Sequence, residues 1–359
     1  MKNISIIFTM LVMIGCGGGD GNARKSTANI SKVVNRDTET PPEAGGYGFE
    51  AIAEKLGYQT YTSSEKEKNY FGDPRAVKGG TINYIHTLFP RTMRIYGQNS
   101  GQVLNTQTIH SLCYQPLLNL HPITLDFIPG LASHWKIADD KMQFWFRIDP
   151  DARWSDGAPV TSADVIATWD LLMDETILEP SLQITYAKFE RPVVVSKYIV
   201  SVQAKTLNWR NLLYFGNSMA LHPAKYLDEL DGTAYLEEYL FKLLPGTGPY
   251  MIYEKDIINQ ESYTLTRRND YWAKDKPSNR YQFNFDKIKV SVVKDNDALE
   301  FEKLKKGEVD FKEISRSRRW IEECDFEATQ KGWLKKQRIY SERPPGTSGY
   351  SFNMRKWPF

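Results

Sequence analysis

Short runs of alternating apolar and polar residues recur along this chain between segments of helical spacing, and no unit repeats at a fixed period. A period-two run puts one face of a strand into a core, and helices must cover that face, so the pattern calls for a mixed architecture. Residues 81–86 (TINYIH) read as a strand launched from Gly79-Gly80. Residues 135–138 and 143–148 read as a hairpin around Asp139-Asp140-Lys141, with Phe144, Phe146 and Ile148 alternating with Trp145 and Arg147. A second hairpin joins 193–195 to 199–203, and strands resume at 250–253, 263–267 and 288–293. Helices are expected over 102–114, from 161 to about 173, and over 209–215 and 234–243. A further helix, 298–306, ends at Gly307. Short strands are expected at 117–120, after Pro116, and at 309–311. Thr161 is a suitable N-cap, with the Asp164 carboxylate in the first turn where the helix dipole favours it. The fold class that follows is α/β, or α+β, with at least one substantial mixed sheet.

The N-terminus bears on compartment. Lys2 supplies a positive end, and residues 4–14 form an apolar run too short to cross a bilayer, which takes about 20 residues. Met13-Ile14-Gly15-Cys16 followed by Gly17-Gly18-Gly19 is similar to a bacterial lipobox, with Met13 where Leu is usual. The expectation is a lipoprotein signal peptide over 1–16, acylation of Cys16, and a lipid-anchored body outside the cytoplasm. Residues 17–45 carry almost no large apolar side chain and read as a flexible tether. The 46 Lys+Arg against 44 Asp+Glu leave a charge of +2, which gives nucleic acid no field to follow. Arg316, Arg318 and Arg319 read as a solvated helix face, and Cys113, within an apolar run, as a buried thiol.

Catalytic patterns are missing. His86, His110, His121, His134 and His222 lack metal spacing, no CxxC pair occurs, and Ser155 sits in WSDG, not in GxSxG. Asp139-Asp140 and Glu322-Glu323 read as solvated charges. The expectation is a non-enzyme without cofactor or metal; a secreted hydrolase whose acid–base residues converge only in space is the minor alternative.

Several ordered blocks resemble the extracellular solute-binding proteins of family 5, the peptide/nickel class, and the entry to the first strand is similar to its YejA-like branch. They are Lys78-Gly79-Gly80-Thr81, Tyr114-Gln115-Pro116-Leu117-Leu118, Leu131-Ala132-Ser133-His134-Trp135, and the long stretch from Phe144 through Trp154-Ser155-Asp156-Gly157 to Val165. Pro245-Gly246-Thr247-Gly248-Pro249-Tyr250, Arg268-Asn269-Asp270-Tyr271-Trp272 and Lys306-Gly307-Glu308-Val309-Asp310 follow in order. Gly246, Gly248 and Pro249 constrain a backbone crossing, and Asp156-Gly157 a tight turn; both read as fold-determining.

The resemblance implies a type II-like periplasmic binding protein, a two-lobe clamp that holds an extended peptide chiefly through backbone hydrogen bonds. The partners it implies are a peptide, an ABC permease with its ATPase, and a membrane reached through the anchor; the chain is expected to be monomeric. Nickel chelates, oligosaccharides or opines are alternative cargoes, and a sensor or a non-functional remnant alternative roles. Lobe I is expected over 46–340, with an inserted subdomain over about 84–230. Residues 341–359 are expected to start the hinge and the second lobe, since 349–359 is similar to the block that precedes completion of that lobe in the family; the lobe is then incomplete, so the 359-residue chain is expected to bind peptide weakly or not at all. Candidate ligand contacts are His86, Phe89 and Arg94 after the first strand, Ser181 after the 161–173 helix, and Lys312 and Glu313 after 309–311. Arg94 or Lys312 suits a carboxylate and Glu313 an amine.

Overall fold

The computed structural model describes residues 36–62, 71–102, 105–338, 340, 349–350, 352–355 and 357, with no side-chain detail for 105–107. The lipobox with Cys16, the greater part of the tether and most of 341–359 lie outside the described residues. Ten strands and six α-helices are seen among the described residues. The strands are β1 (Thr81–His86), β2 (Leu118–Leu120), β3 (Phe127–Pro129), β4 (Ala132–Ile137), β5 (Gln143–Ile148), β6 (Val193–Ser196), β7 (Ile199–Gln203), β8 (Tyr250–Ile258), β9 (Ser262–Arg267) and β10 (Lys287–Val292). The helices are α1 (Ser111–Cys113), α2 (Ser162–Met173), α3 (Pro180–Tyr186), α4 (Gly232–Glu238), α5 (Asp297–Lys305) and α6 (Glu327–Gln330).

Two four-stranded sheets carry the fold. One runs β1-β10-β9-β8, with β1 parallel to β10 and the other pairs antiparallel, which makes it a mixed sheet. The other runs β4-β5-β7-β6 and is antiparallel throughout. The alternation in β5 and β7 sends Phe144, Phe146, Val200 and Val202 into one core with Trp154, Phe189 and Phe215. Tyr250, Ile252, Tyr263, Leu265 and Val290 bring the mixed sheet into the same core. A smaller cluster, Phe301, Leu304, Val309 and Cys324, forms under α5 and packs against Ile85 of β1.

The N-terminus of α2 is built as its residues require. The Asp164 carboxylate accepts from the Thr161 backbone N–H at 2.7 Å, completing a capping box. The glycine-rich crossing also has a visible cause. Arg268 donates to the carbonyls of Gly246 (2.9 Å), Gly248 (3.1 Å) and Trp154 (3.4 Å), so one buried guanidinium ties the WSDG turn to the entry of β8. Cys113 and Cys324 are both buried free thiols.

Several expectations need correction. Residues 36–45 do not behave as a tether: Asp37 pairs with Lys197 at 2.5 Å and Tyr198 at 2.9 Å, and the Gly45 carbonyl accepts from Arg147 at 2.8 Å. The 102–114 helix shrinks to a π-helical stretch, Asn105–His110, followed by α1. The 309–311 strand is absent, and the 234–243 helix stops at Glu238. β3 and α3 were not expected; β3 is short and closes on Pro129, while Pro180 starts α3.

Candidate functional site

The end of β1, the start of α5 and the chain after Val309 converge on one surface. Asp310 lies against the open side of β1. Its carboxylate accepts from the Asn83 backbone N–H at 2.7 Å and the Asn83 side-chain amide at 2.8 Å, while its own N–H donates to the Asn83 carbonyl at 3.0 Å. This side-chain clamp does the pairing that a strand would do. Two residues on, Lys312 meets Glu300 of α5, and the two form an ion pair in which both side chains are largely buried. The second Glu300 carboxylate oxygen is buried with no partner among the described residues. Such a pair is costly to break from one side, because the survivor keeps an uncompensated charge.

His86 closes β1 and accepts at its carbonyl from the Val293 N–H at 2.9 Å. Burial, with the Lys312 ammonium nearby as the lesser cause, pushes its imidazole down to about 4, so the ring is neutral at pH 7. Beyond Lys312 a groove of about 690 Å³ opens, lined by Phe311, Lys312, Glu313, Ile314, Trp320 and Tyr340 among others. Phe311 (47% exposed), Ile321 (67%) and Tyr340 (85%) leave apolar surface on offer there. Below it a smaller cavity of about 190 Å³ reaches Cys324, Phe326 and Leu334. Lys336 sits 5.0 Å above the Trp320 ring, and Arg319 is held by Asp297 (2.6 Å) and Glu323 (3.0 Å).

The structure therefore brings together three of the six candidate contacts, His86, Lys312 and Glu313. The other three stand elsewhere. Phe89 is buried against Phe241 and Tyr263, with ring centroids 6.2 Å away in each case, and is a core residue. Arg94 is buried too; it donates to the carbonyls of Tyr96 (3.1 Å) and Gln98 (3.2 Å) and lies 5.8 Å over the Tyr235 ring, so its charge is spent internally. Ser181 is exposed in the first turn of α3, away from the groove, where its carbonyl accepts from the Thr185 hydroxyl at 2.9 Å.

Sequence reasoning missed Trp320, Tyr340 and Glu300. Glu300 did leave a signal. It lies one residue from Phe301 and four from Leu304 on α5, and a carboxylate on an apolar helical face implies a buried cation. No group of three or more potential metal ligands occurs among the described residues. Neither is any helix among them long and apolar enough to cross a membrane.

Residues 126–359 match the sequence profile of the bacterial extracellular solute-binding proteins, family 5 (middle). A relative named "Probable peptide-binding protein YejA", from Agrobacterium fabrum, is 29% identical over 271 residues, which is 72% of this chain and 43% of that protein. Among solved structures, the oligopeptide-binding protein AppA of Bacillus subtilis, in complex with a nonapeptide, superposes with a TM-score of 0.55 at 19% identity. It covers 66% of this chain and 44% of its own. MoaA of Agrobacterium tumefaciens R10, in complex with mannopinic acid, gives 0.54 at 19%, covering 69% and 47%. The fold is that of the type II-like periplasmic binding proteins, and the chain spans about half the length of the curated relatives it matches.

Proposed function

We propose that this chain, which belongs to the bacterial extracellular solute-binding proteins of family 5, captures peptides outside the cytoplasm for an ABC permease and its ATPase. One observation carries the reading: the groove beside Lys312 offers aromatic and aliphatic surface next to an exposed carboxylate, Glu313, with an already neutralised ammonium as its floor. Trp320, Tyr340 and Phe311 give apolar peptide side chains a surface that does not demand one sequence, and Glu313 faces a peptide amine. Lys312 is held by Glu300, so its part is to shape the groove rather than to seize a carboxylate. His86, kept neutral, adds a donor and an acceptor at the β1 end of the site. Capture then needs no bond to break.

In this reading Cys16 carries the lipid, and the body works as a monomer close to the membrane. The nonapeptide complex of AppA and the peptide-binding description of the Agrobacterium relative support a peptide. The mannopinic acid complex shows that the same fold accommodates another solute, and a pool experiment separates the two. Equilibrium dialysis against a mixed peptide library, read by mass spectrometry, is expected to retain intact peptides weakly, with Kd on the order of 10⁻⁴ M. Trp320→Ala and Glu313→Gln are each expected to weaken retention about tenfold. Cleaved peptides would point to a hydrolase, and retention of sugar acids but no peptide to the second cargo class.

A further inference from the structure

A second groove, of about 800 Å³, lies between α2 and β6, and none of the residues lining it lines the groove beside Lys312. Its floor is apolar, with Ile166, Ala167, Leu171, Leu227 and Leu230. Its wall is the last strand of the antiparallel sheet, of which Val193 and Val194 line the groove; they stand 59% and 51% exposed, and the next residue, Val195, 54%. The opposite edge of that sheet is covered. Gln59 and Trp135 of β4 exchange backbone hydrogen bonds at 2.8 and 3.0 Å. Beyond its contacts with Ser162 and Ala44 at Ser196, β6 has no strand neighbour on its outer side among the described residues, and an edge of three valines is a template for strand addition, which most folds suppress.

The charge on the groove indicates what fits. Asp170, Asp174, Asp228 and Arg191 line it. Arg191 is occupied by a two-pronged bond to Asp170 at 2.8 and 2.7 Å. Asp174 accepts from the N–H groups of Thr176 (2.8 Å) and Gly232 (2.7 Å). The Asp228 carboxylate has no ion-pair partner among the described residues, and the lining is net acidic.

We propose that this groove docks an extended apolar segment of a partner protein, which adds to β6 as a fifth strand and places a basic side chain at Asp228. The probe is a fluorescein-labelled peptide, acetyl-Lys-Val-Thr-Val-Thr-Val-amide, titrated with the whole chain and followed by anisotropy. Saturable binding is expected. It weakens about tenfold with Asp228→Lys, with Val194→Lys, or when glutamate replaces the peptide's lysine, and it holds with Trp320→Ala. Val194→Thr keeps the strand propensity and serves as the folding control. The proposal is overturned by no saturation at millimolar protein, by equal binding of the glutamate peptide, or by loss of binding in Trp320→Ala, which would assign the peptide to the other groove. Sedimentation showing a dimer that Val194→Lys dissolves would make a second copy the occupant and overturn it as well.

Discussion

At Gly246 an added Cβ would stand 2.1 Å from the Cys113 carbonyl oxygen and 2.7 Å from the Met251 sulfur, and at Gly248 it would stand 2.3 Å from the Leu112 carbonyl oxygen. Two of those obstacles are backbone, and the backbone there is pinned: the Gly248 N–H donates to the Cys113 carbonyl at 2.9 Å. Gly246→Ala is therefore expected to destabilise the chain by about 3 kcal/mol, read as a lower urea midpoint. Arg268→Lys should cost about 2 kcal/mol in the same assay, since a single ammonium cannot serve three carbonyls fixed at different angles. A small effect in either variant would mean that the crossing relaxes more freely than its contacts imply.

Helix α2 shows how an element is anchored from its first turn. Asp164 accepts from the N–H of Thr161 (2.7 Å) and Ala224 (2.8 Å) and from the Trp154 indole (3.4 Å). Thr161→Ala removes one cap and is expected to cost about 1 kcal/mol, whereas Asp164→Ala strands buried donors and should cost clearly more in a denaturant titration. This element was legible in the sequence because local chemistry and hydrophobic spacing agree there. The two hairpins were legible too, since Phe144, Phe146, Val200 and Val202 alternate toward the core. The 309–311 expectation failed for a tertiary reason: Val309 does turn into a core, but the Asp310 side chain takes the Asn83 N–H that a strand neighbour would take through its backbone. Half of the candidate site was legible for a related reason. Spacing finds loop positions after strands, but it cannot say that Arg94 and Phe89 are buried or that Trp320 folds back beside Lys312.

Among the described residues, burial pushes four histidines down: His222 to about 3, His110 and His86 to about 4, and His134 in the same direction. An unfolded histidine takes up a proton near pH 6.5, so below that pH the unfolded chain binds more protons than the folded one, and stability falls as pH drops from about 6.5 toward 4. Asp164 and Glu179, whose carboxyls burial pushes upward, act in the opposite sense. His222 alone contributes up to about 1.4 kcal/mol per pH unit in that window. The urea midpoint should fall across it, and less steeply in His222→Gln. The larger claim is that peptide is held, intact, beside Lys312. The most direct test is photo-cross-linking with a benzophenone-bearing peptide, with the adduct mapped by mass spectrometry. Adducts are expected within residues 311–340, competed by excess unlabelled peptide, with the peptide recovered whole. Adducts confined to residues 163–230, or scattered and not competed, or a cleaved peptide, would contradict it.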